Sequence, residues 1–481
     1  MPVIQTTAAS KAPDQLYAER LERYVTAMRN AMPDRVPLRP FAAEITARYG
    51  GYTCQEVTHD YNKAFDAVIK CCRDFDWDAV VPNMVYVWTG LTQAMGLRYY
   101  GVPGIDVGPE VAFQYREPTE DDSFMKREEY DELIADPVRF LYETWLPRVS
   151  TEVSPKGRPA TMRHNLALVK GGMSMLGYFN AFGGQIERMR RECGTVSSIC
   201  GMLKAPLDIL ADKLRGYIGL AFDLKEIPEK VQQACEALMP HLGYLALTGA
   251  DPERRIPIPI WMHRGCVPFI SREHFETIFW PTLKPIVEAL WAQGNQTLFY
   301  AEGKWSAHLE RFAELPAGCI IYHIDRDDPQ RAHEVLGRKF CLSGGVPNAL
   351  LAFGQPEEVR AHCRQLIETI GAEGGYIMDA SAIMQNDARL ENLRAMTDAT
   401  LEYGVYRSPS SPSPPLPVPC ATPGLPAWAT SPRPRPGICF PWEEKLRELP
   451  PISGDPQLLE RVWNDAEGLA YLYIWHVLLS F

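Results

Sequence analysis

Short apolar runs alternate with longer amphipathic stretches through the second half of the chain. Ile256–Met262, Thr297–Ala301, Cys319–Ile324, Phe340–Gly344 and Tyr376–Met378 each read as a buried strand. Between and after them, Arg272–Gln293, Lys304–Glu314, Asp328–Leu336, Pro356–Ile370 and Ala388–Tyr403 read as helices. The helix from Pro356 opens on Pro-Glu-Glu, residues that suit a first turn because proline fixes φ and acids face the positive helix end. The first half begins in the same way. A short strand Val36–Phe41 precedes a helix over about 56–74 with Val57, Ala64, Phe65, Ala67, Val68 and Ile69 on its apolar side, and Trp77–Pro82 is a buried-type strand. This alternation predicts an α/β protein with parallel strands and helices outside, and a (β/α)8 TIM-type barrel over residues 36–406 fits it better than a sandwich or bundle. A doubly wound open sheet satisfies the same alternation.

The flanks depart from that rhythm. Residues 1–35 predict an N-terminal helical arm, with a helix from Asp14 to Ala31. Residues 407–441 are about one-third proline and include Ser-Pro-Ser-Pro-Pro and Pro-Arg-Pro-Arg-Pro, a composition that predicts an extended linker without a core. Residues 442–481 predict a C-terminal helical extension. Its last helix carries Leu469, Tyr471, Leu472, Ile474, Trp475, Val477 and Leu478, which predicts burial against the barrel or docking onto a second subunit, as in a homodimer.

Composition narrows the function classes. Of 481 residues, 46% are hydrophobic and 23% charged, enough for a sizeable core, and the net charge of −11 argues against a nucleic-acid partner. Twelve scattered cysteines form no CxxC pair and predict free thiols in a reducing compartment. No secretory leader pattern and no apolar run of membrane-spanning length occurs, so the expectation is a cytoplasmic protein without a transmembrane segment.

Four segments carry a family resemblance. They are Arg35-Val-Pro-Leu-Arg-Pro-Phe with the strand at Trp77–Val81; Phe269-Ile-Ser-Arg-Glu-His-Phe through Trp280-Pro-Thr-Leu-Lys-Pro-Ile; Leu342-Ser-Gly-Gly-Val-Pro with Gly354-Gln-Pro-Glu-Glu-Val; and Gly374-Gly-Tyr-Ile-Met with Leu390-Glu-Asn-Leu-Arg-Ala-Met. In this order they resemble the uroporphyrinogen decarboxylase superfamily, which includes the decarboxylases and corrinoid-linked methyltransferases. The resemblance implies the barrel fold. It also exposes departures. The arginine-rich segment of the decarboxylases is replaced by Ala42-Ala-Glu-Ile-Thr-Ala-Arg-Tyr, their aspartate falls near Val87 and their histidine near Ala382. The His-x-Cys zinc position of the thiol methyltransferases reads Tyr300-Ala-Glu302, and their later cysteine also falls near Ala382.

Barrel chemistry sits at the carboxyl ends of strands, which singles out His263, Arg264, Glu302, His323, Asp325, Ser343, Asp379 and Ser381. Glu302, His323 and Asp379 are the expected catalytic groups. Glu302 and His323 are the candidate metal ligands, zinc being the expected ion because carboxylate and imidazole both suit it. The competing readings are an ion pair of Glu302 with Lys304 or Arg264, a hydrogen-bonded core role for His323, and helix capping by Asp325. His263, Arg264, Tyr86 and Arg163 are expected to bind a small-molecule substrate. The resemblance implies a methyltransferase moving a methyl group between that substrate and cobalamin carried by a separate corrinoid protein. A decarboxylase of a tetrapyrrole or other polycarboxylate, and a barrel retained only for binding, are the alternatives.

Overall fold

The computed structural model describes residues 11–81, 89–409 and 439–480. Its parallel strands, in chain order, are β1 (Ala79–Val80), β2 (Val196–Ser197), β3 (Leu203–Lys204), β4 (Ile258–Met262), β5 (Thr297–Ala301), β6 (Ile320–Ile324), β7 (Cys341–Gly344) and β8 (Tyr376–Ile377). Helices separate successive strands except β2 and β3, which a short loop joins so that 196–204 fills one strand place of a (β/α)8 barrel. Every residue of β4 to β8 is buried, which is why these strands are continuous apolar runs rather than alternating ones.

The chain divides into two compact units. The first takes in residues up to 85, 180–199 and 321–416. In it β6 pairs with β7 and β7 with β8, all parallel. Beyond β8 lies the segment 36–42: Leu38 bridges Met378 in parallel, and the Leu38 carbonyl accepts from the Asp78 and Ala79 amides at 3.1 Å each. This is the first barrel strand in sequence, and Pro37 and Pro40 leave it irregular because neither has an N–H for the ladder. β1 then pairs with β2. The N-terminal helix Pro13–Met28 is tied down in the same unit, through Arg20 to the Cys193 carbonyl at 2.6 Å and Tyr24 to the Ser198 carbonyl at 2.9 Å. On helix Pro356–Thr369 the buried side chains Val359, Cys363, Leu366 and Ile367 follow the helical period, and Gln355 and Glu358 form a capping box at its start.

The second unit takes in residues 86–179, 200–320 and 417–481. It holds the parallel run β3–β4–β5 and a short antiparallel ribbon, Tyr100–Gly101 against Gln114–Tyr115. The apolar face of helix Pro456–Leu479 is covered within this unit: Tyr471, Ile474, Trp475 and Leu478 are buried, His241 stacks on Trp475, and Lys213 donates to the Ser480 carbonyl at 2.7 Å. No helix among the described residues is long and apolar enough to cross a membrane.

Several elements differ from the pattern-based expectation. The helix expected over 56–74 breaks at Asp60, whose extended backbone and side chain cap a second helix, Tyr61–Asp74. Of Lys304–Glu314 only Leu309–Phe312 is helical, because Trp305 folds back to donate to the Glu302 carbonyl at 2.8 Å. Asp328, not Asp325, caps the helix that follows β6. Most of the expected proline-rich linker, and Tyr86, lie outside the described residues.

One buried carboxylate ties the first unit together. Asp78 is fully buried, pairs with Arg23, accepts twice from Arg35 at 2.7 and 2.9 Å, and accepts from the Leu38 amide at 2.8 Å. Removing it leaves the Arg35 guanidinium without its carboxylate in low dielectric, while Arg23 keeps its bidentate pair with Asp34. Asp78→Ala should cost about 3–5 kcal/mol of stability, read as a fall in the urea midpoint without a change in slope.

Candidate functional site

In the second unit, the strand register brings polar groups together at one set of strand ends. Met262 of β4 lies opposite Ala301 of β5, so the next residues, His263 and Glu302, emerge side by side, with Nδ1 of the imidazole 3.8 Å from the carboxylate. Gly303 makes the exit after Glu302 possible: its φ is +95°, and a Cβ there would stand 2.6 Å from Cys266 Sγ. Lys204 ends the neighbouring strand β3. After it, Pro206 starts a helical turn that places Asp208 and Asp212 four residues apart, on one face.

Asp212 is the hub. Its Oδ2 accepts from Lys204 Nζ at 2.9 Å and bonds His263 Nε2, and its Oδ1 accepts from Arg264 Nε at 2.9 Å. A π-helical turn, Leu210–Leu214, presents it. Such a turn leaves carbonyls outside the ordinary helix ladder, and side chains take them up: Tyr115 donates to the Asp212 carbonyl at 2.6 Å and Trp145 to the Lys213 carbonyl at 2.7 Å. Burial alone would raise the Asp212 carboxyl, but His263, Lys204 and Arg264 hold it well below the usual range. Burial pulls His263 down, Asp212 pulls it up, and the net effect raises it, so the imidazolium is favoured. Its Nδ1 has no hydrogen-bond partner, and its side chain is 20% exposed. Asp208 is fully buried and burial pushes it up to about 6; its Oδ1 accepts from the Arg264 amide at 2.7 Å, while Oδ2 has no partner. Arg264 also reaches Glu117 at 2.9 Å.

This arrangement can move a proton. An imidazole held at Nε2 by a carboxylate, with a buried, unpartnered Nδ1 3.8 Å from partly exposed Glu302, has the geometry of a general acid–base pair. Sequence reasoning found His263, Arg264 and Glu302 from their place after strands. It missed Lys204, Asp208, Asp212 and Glu117. The spacing of the two aspartates just after a Lys-Ala-Pro turn was the available signal.

Arg163, expected to bind substrate, stands outside this network: its side chain is 76% exposed and paired with Glu152.

His323 and Asp379 belong to the first unit, in a different network. His323 Nδ1 is 3.1 Å from Arg39 Nη2 and 3.0 Å from Ser343 Oγ, and Nε2 is 3.1 Å from the Ser381 carbonyl. A carbonyl only accepts, so Nε2 carries the proton and Nδ1 accepts from Arg39 and Ser343. Burial, then the Arg39 charge, holds the ring well below its ordinary pKa, hence neutral. Asp379 faces Arg39 at 3.1 Å and accepts from the Phe41 and Ala380 amides, yet burial pushes it up to about 7. All four side chains are fully buried. Gly344, at φ +83°, leaves the room that this ring needs, since a Cβ there would meet His323 Cε1 at 2.8 Å.

The residues do not fit the expected zinc site. Both nitrogens of His323 are committed to hydrogen bonds, so no lone pair is free for a metal, and Nε2 of His263, the imidazole beside Glu302, is engaged by Asp212. Among the described residues no three His, Cys, Asp or Glu side chains gather as a ligand set.

The dyad has a direct signature. Asp212→Asn should lower the His263 pKa, because the raising charge is gone while the burial that lowers it stays; imidazole NMR titration reads the shift.

Comparison with known proteins places the chain. Residues 170–403 match the family model described as uroporphyrinogen decarboxylase (URO-D). The uroporphyrinogen decarboxylase of Anaeromyxobacter dehalogenans (strain 2CP-C) is 29% identical over 135 residues, 28% of this chain and 38% of that relative. The chain therefore matches well under two thirds of that relative's length. A solved methyltransferase from Methanosarcina mazei superposes with a TM-score of 0.53 at 15% identity, over 80% of this chain and 98% of that one. Identity that low speaks to fold alone, and the fold is the (β/α)8 barrel. Residues 170–403 thus carry a match to the uroporphyrinogen decarboxylase family, and the partial relative and the shared fold point the same way.

Proposed function

We propose that the chain is a methyltransferase that takes a methyl group from a small ether or amine substrate and passes it to a corrinoid protein. The observation that carries this reading is the Asp212–His263 pair with its unpartnered Nδ1 beside Glu302. Demethylation breaks a heteroatom–methyl bond and leaves the electron pair on the heteroatom, which then needs a proton. The corrinoid, bound to its own carrier protein, supplies the nucleophile that accepts the methyl group. His263 donates the proton from Nδ1, and Asp212 holds the ring and favours its charged form. Glu302 orients the substrate heteroatom at the same strand ends, and Arg264, stacked over Tyr217 and Phe269, lines the approach. His323 and Asp379 act as a buried brace in this reading rather than as reacting groups. The methyltransferase with the same fold supports it, as does the gathering of polar groups at strand ends, which a barrel kept only for binding would not need.

Decarboxylation of a polycarboxylate is favoured by the named relative but not by the arginines it requires. Arg39 faces Asp379, Arg163 pairs with Glu152, and Arg264 pairs with Asp212 and Glu117, so each guanidinium already has a carboxylate.

The test is methyl transfer from methylated ethers and amines to a reduced corrinoid protein, with the full chain. His263→Gln should slow the transfer by about 10²–10⁴-fold while leaving the fold intact, and Asp212→Asn should slow it and shift its pH profile down. No transfer to any corrinoid, with carbon dioxide released from a polycarboxylate instead, would replace this reading with decarboxylation.

A further inference from the structure

Two thiols that the proposed reaction does not use face each other in the first unit. Cys72 lies near the end of helix Tyr61–Asp74, and Cys193 is the last residue of helix Met162–Cys193. Their side chains share a hydrogen bond across a long stretch of intervening chain. Cys72 is fully buried, and Cys193 is 6% exposed. Both thiols are free.

The surroundings make the pair unequal. Arg20 reaches over from the N-terminal helix and donates to the Cys193 carbonyl at 2.6 Å and to Thr195 Oγ1 at 3.2 Å. The hydrogen bond from Cys72, helped by Thr195 and the Arg20 charge, holds the Cys193 thiol below its ordinary range although burial acts the other way. Burial first, and then Cys193, holds Cys72 well above that range. Cys193 is therefore the sulfur that carries negative charge, and Cys72 keeps its proton. Elsewhere burial sets the opposite direction: it pushes Cys200 and Cys363 up to about 12.

An anionic sulfur touching a protonated one is the arrangement in which oxidation of the first is resolved by the second. Access chooses the oxidant. A sulfur only 6% exposed admits a small hydroperoxide but not the bulk of another protein's disulfide.

We propose that Cys72 and Cys193 are a redox modification site, joined as a disulfide when a hydroperoxide reaches Cys193. With hydrogen peroxide, the Cys193 thiolate attacks one oxygen, the O–O bond breaks, and the other oxygen leaves as hydroxide. That hydroxide becomes water with the proton that Cys193 had released. The Cys72 sulfur then attacks the sulfenic sulfur, the S–S bond forms, the S–O bond breaks, and the departing hydroxide takes the Cys72 proton as a second water. Two thiols lose two electrons, and the peroxide gains them. The bridge closes a long loop, so it restricts the unfolded chain and stabilises the fold. A dithiol reductant reverses it by exchange. The site stands apart from the reaction proposed above and is tested without an activity assay.

The reduced full chain, treated with a small excess of hydrogen peroxide, should lose the mass of two hydrogen atoms, and its Tm should rise by several degrees. Dithiothreitol should return both to their starting values. Cys71→Ser should behave as the wild type, and peptide mapping of that variant places the bridge at Cys72. Cys72→Ser should stop at a sulfenic acid on Cys193, which dimedone captures, and Cys193→Ser should form no bridge. A wild-type chain in which Cys72 and Cys193 both survive the peroxide would overturn the proposal. So would a bridge mapped to other cysteines, or passage of Cys193 to sulfinic acid while Cys72 stays free.

Discussion

A buried carboxylate that must satisfy three cations organises the polar end of β3–β4–β5. Taking a charge out of water costs several kcal/mol per ion, and Asp212 recovers that cost only by meeting Lys204, His263 and Arg264 at hydrogen-bonding distance. Those cations come from two strand ends, and the carboxylate from a turn between them in sequence. Each side chain is therefore fixed by partners on other elements rather than by its own backbone. The π-helical turn that presents Asp212 is held in its place by Tyr115 and Trp145, whose donors occupy the carbonyls that an ordinary helix would have used. The orientation of His263 follows from this: Nε2 is consumed, and Nδ1 is left over.

The Arg39 network uses similar residue types to the opposite end. Arg39, His323, Ser343 and Asp379 also stand at strand positions, and their ionisable groups are also strongly perturbed. The ring nitrogens of this histidine are both bonded, however, and the four side chains are closed to solvent. Perturbed titration therefore does not separate a reacting histidine from a bracing one. The two histidines differ instead in spare hydrogen-bonding capacity: His263 keeps an unpartnered Nδ1, and both nitrogens of His323 are bonded. The same accounting explains why Glu302 and His323 make a poor metal pair although carboxylate and imidazole are suitable ligands.

The fold was largely legible in the pattern of the chain where strands are buried on both faces. β4 to β8 appear as continuous apolar runs, and capping chemistry at Pro356 announces the helix that follows β7. The reading failed where local pattern and tertiary demand part. The segment after Glu302 has helical composition, but Trp305 folds back onto the Glu302 carbonyl and the helix shortens to Leu309–Phe312. β3 is two residues long and carries no periodicity, so the strand that delivers Lys204 left no signal. The C-terminal helix buries part of its apolar side against partners within the chain, His241 and Lys213, more than 200 residues away.

By itself the sequence determined the alternation of strand and helix, the strand ends where polar side chains gather and three of the residues around the hub, because these depend on the period and termination of short segments. Only the tertiary structure decided which imidazole keeps a nitrogen free, which carboxylate carries the cations and which arginines are already spent. The reason is that hydrogen-bond capacity is allotted among groups brought together by folding: His323 gives its lone pair to Arg39 across 284 positions of chain, and His263 gives one nitrogen to Asp212 across 51. No window along the chain contains both partners of either pair.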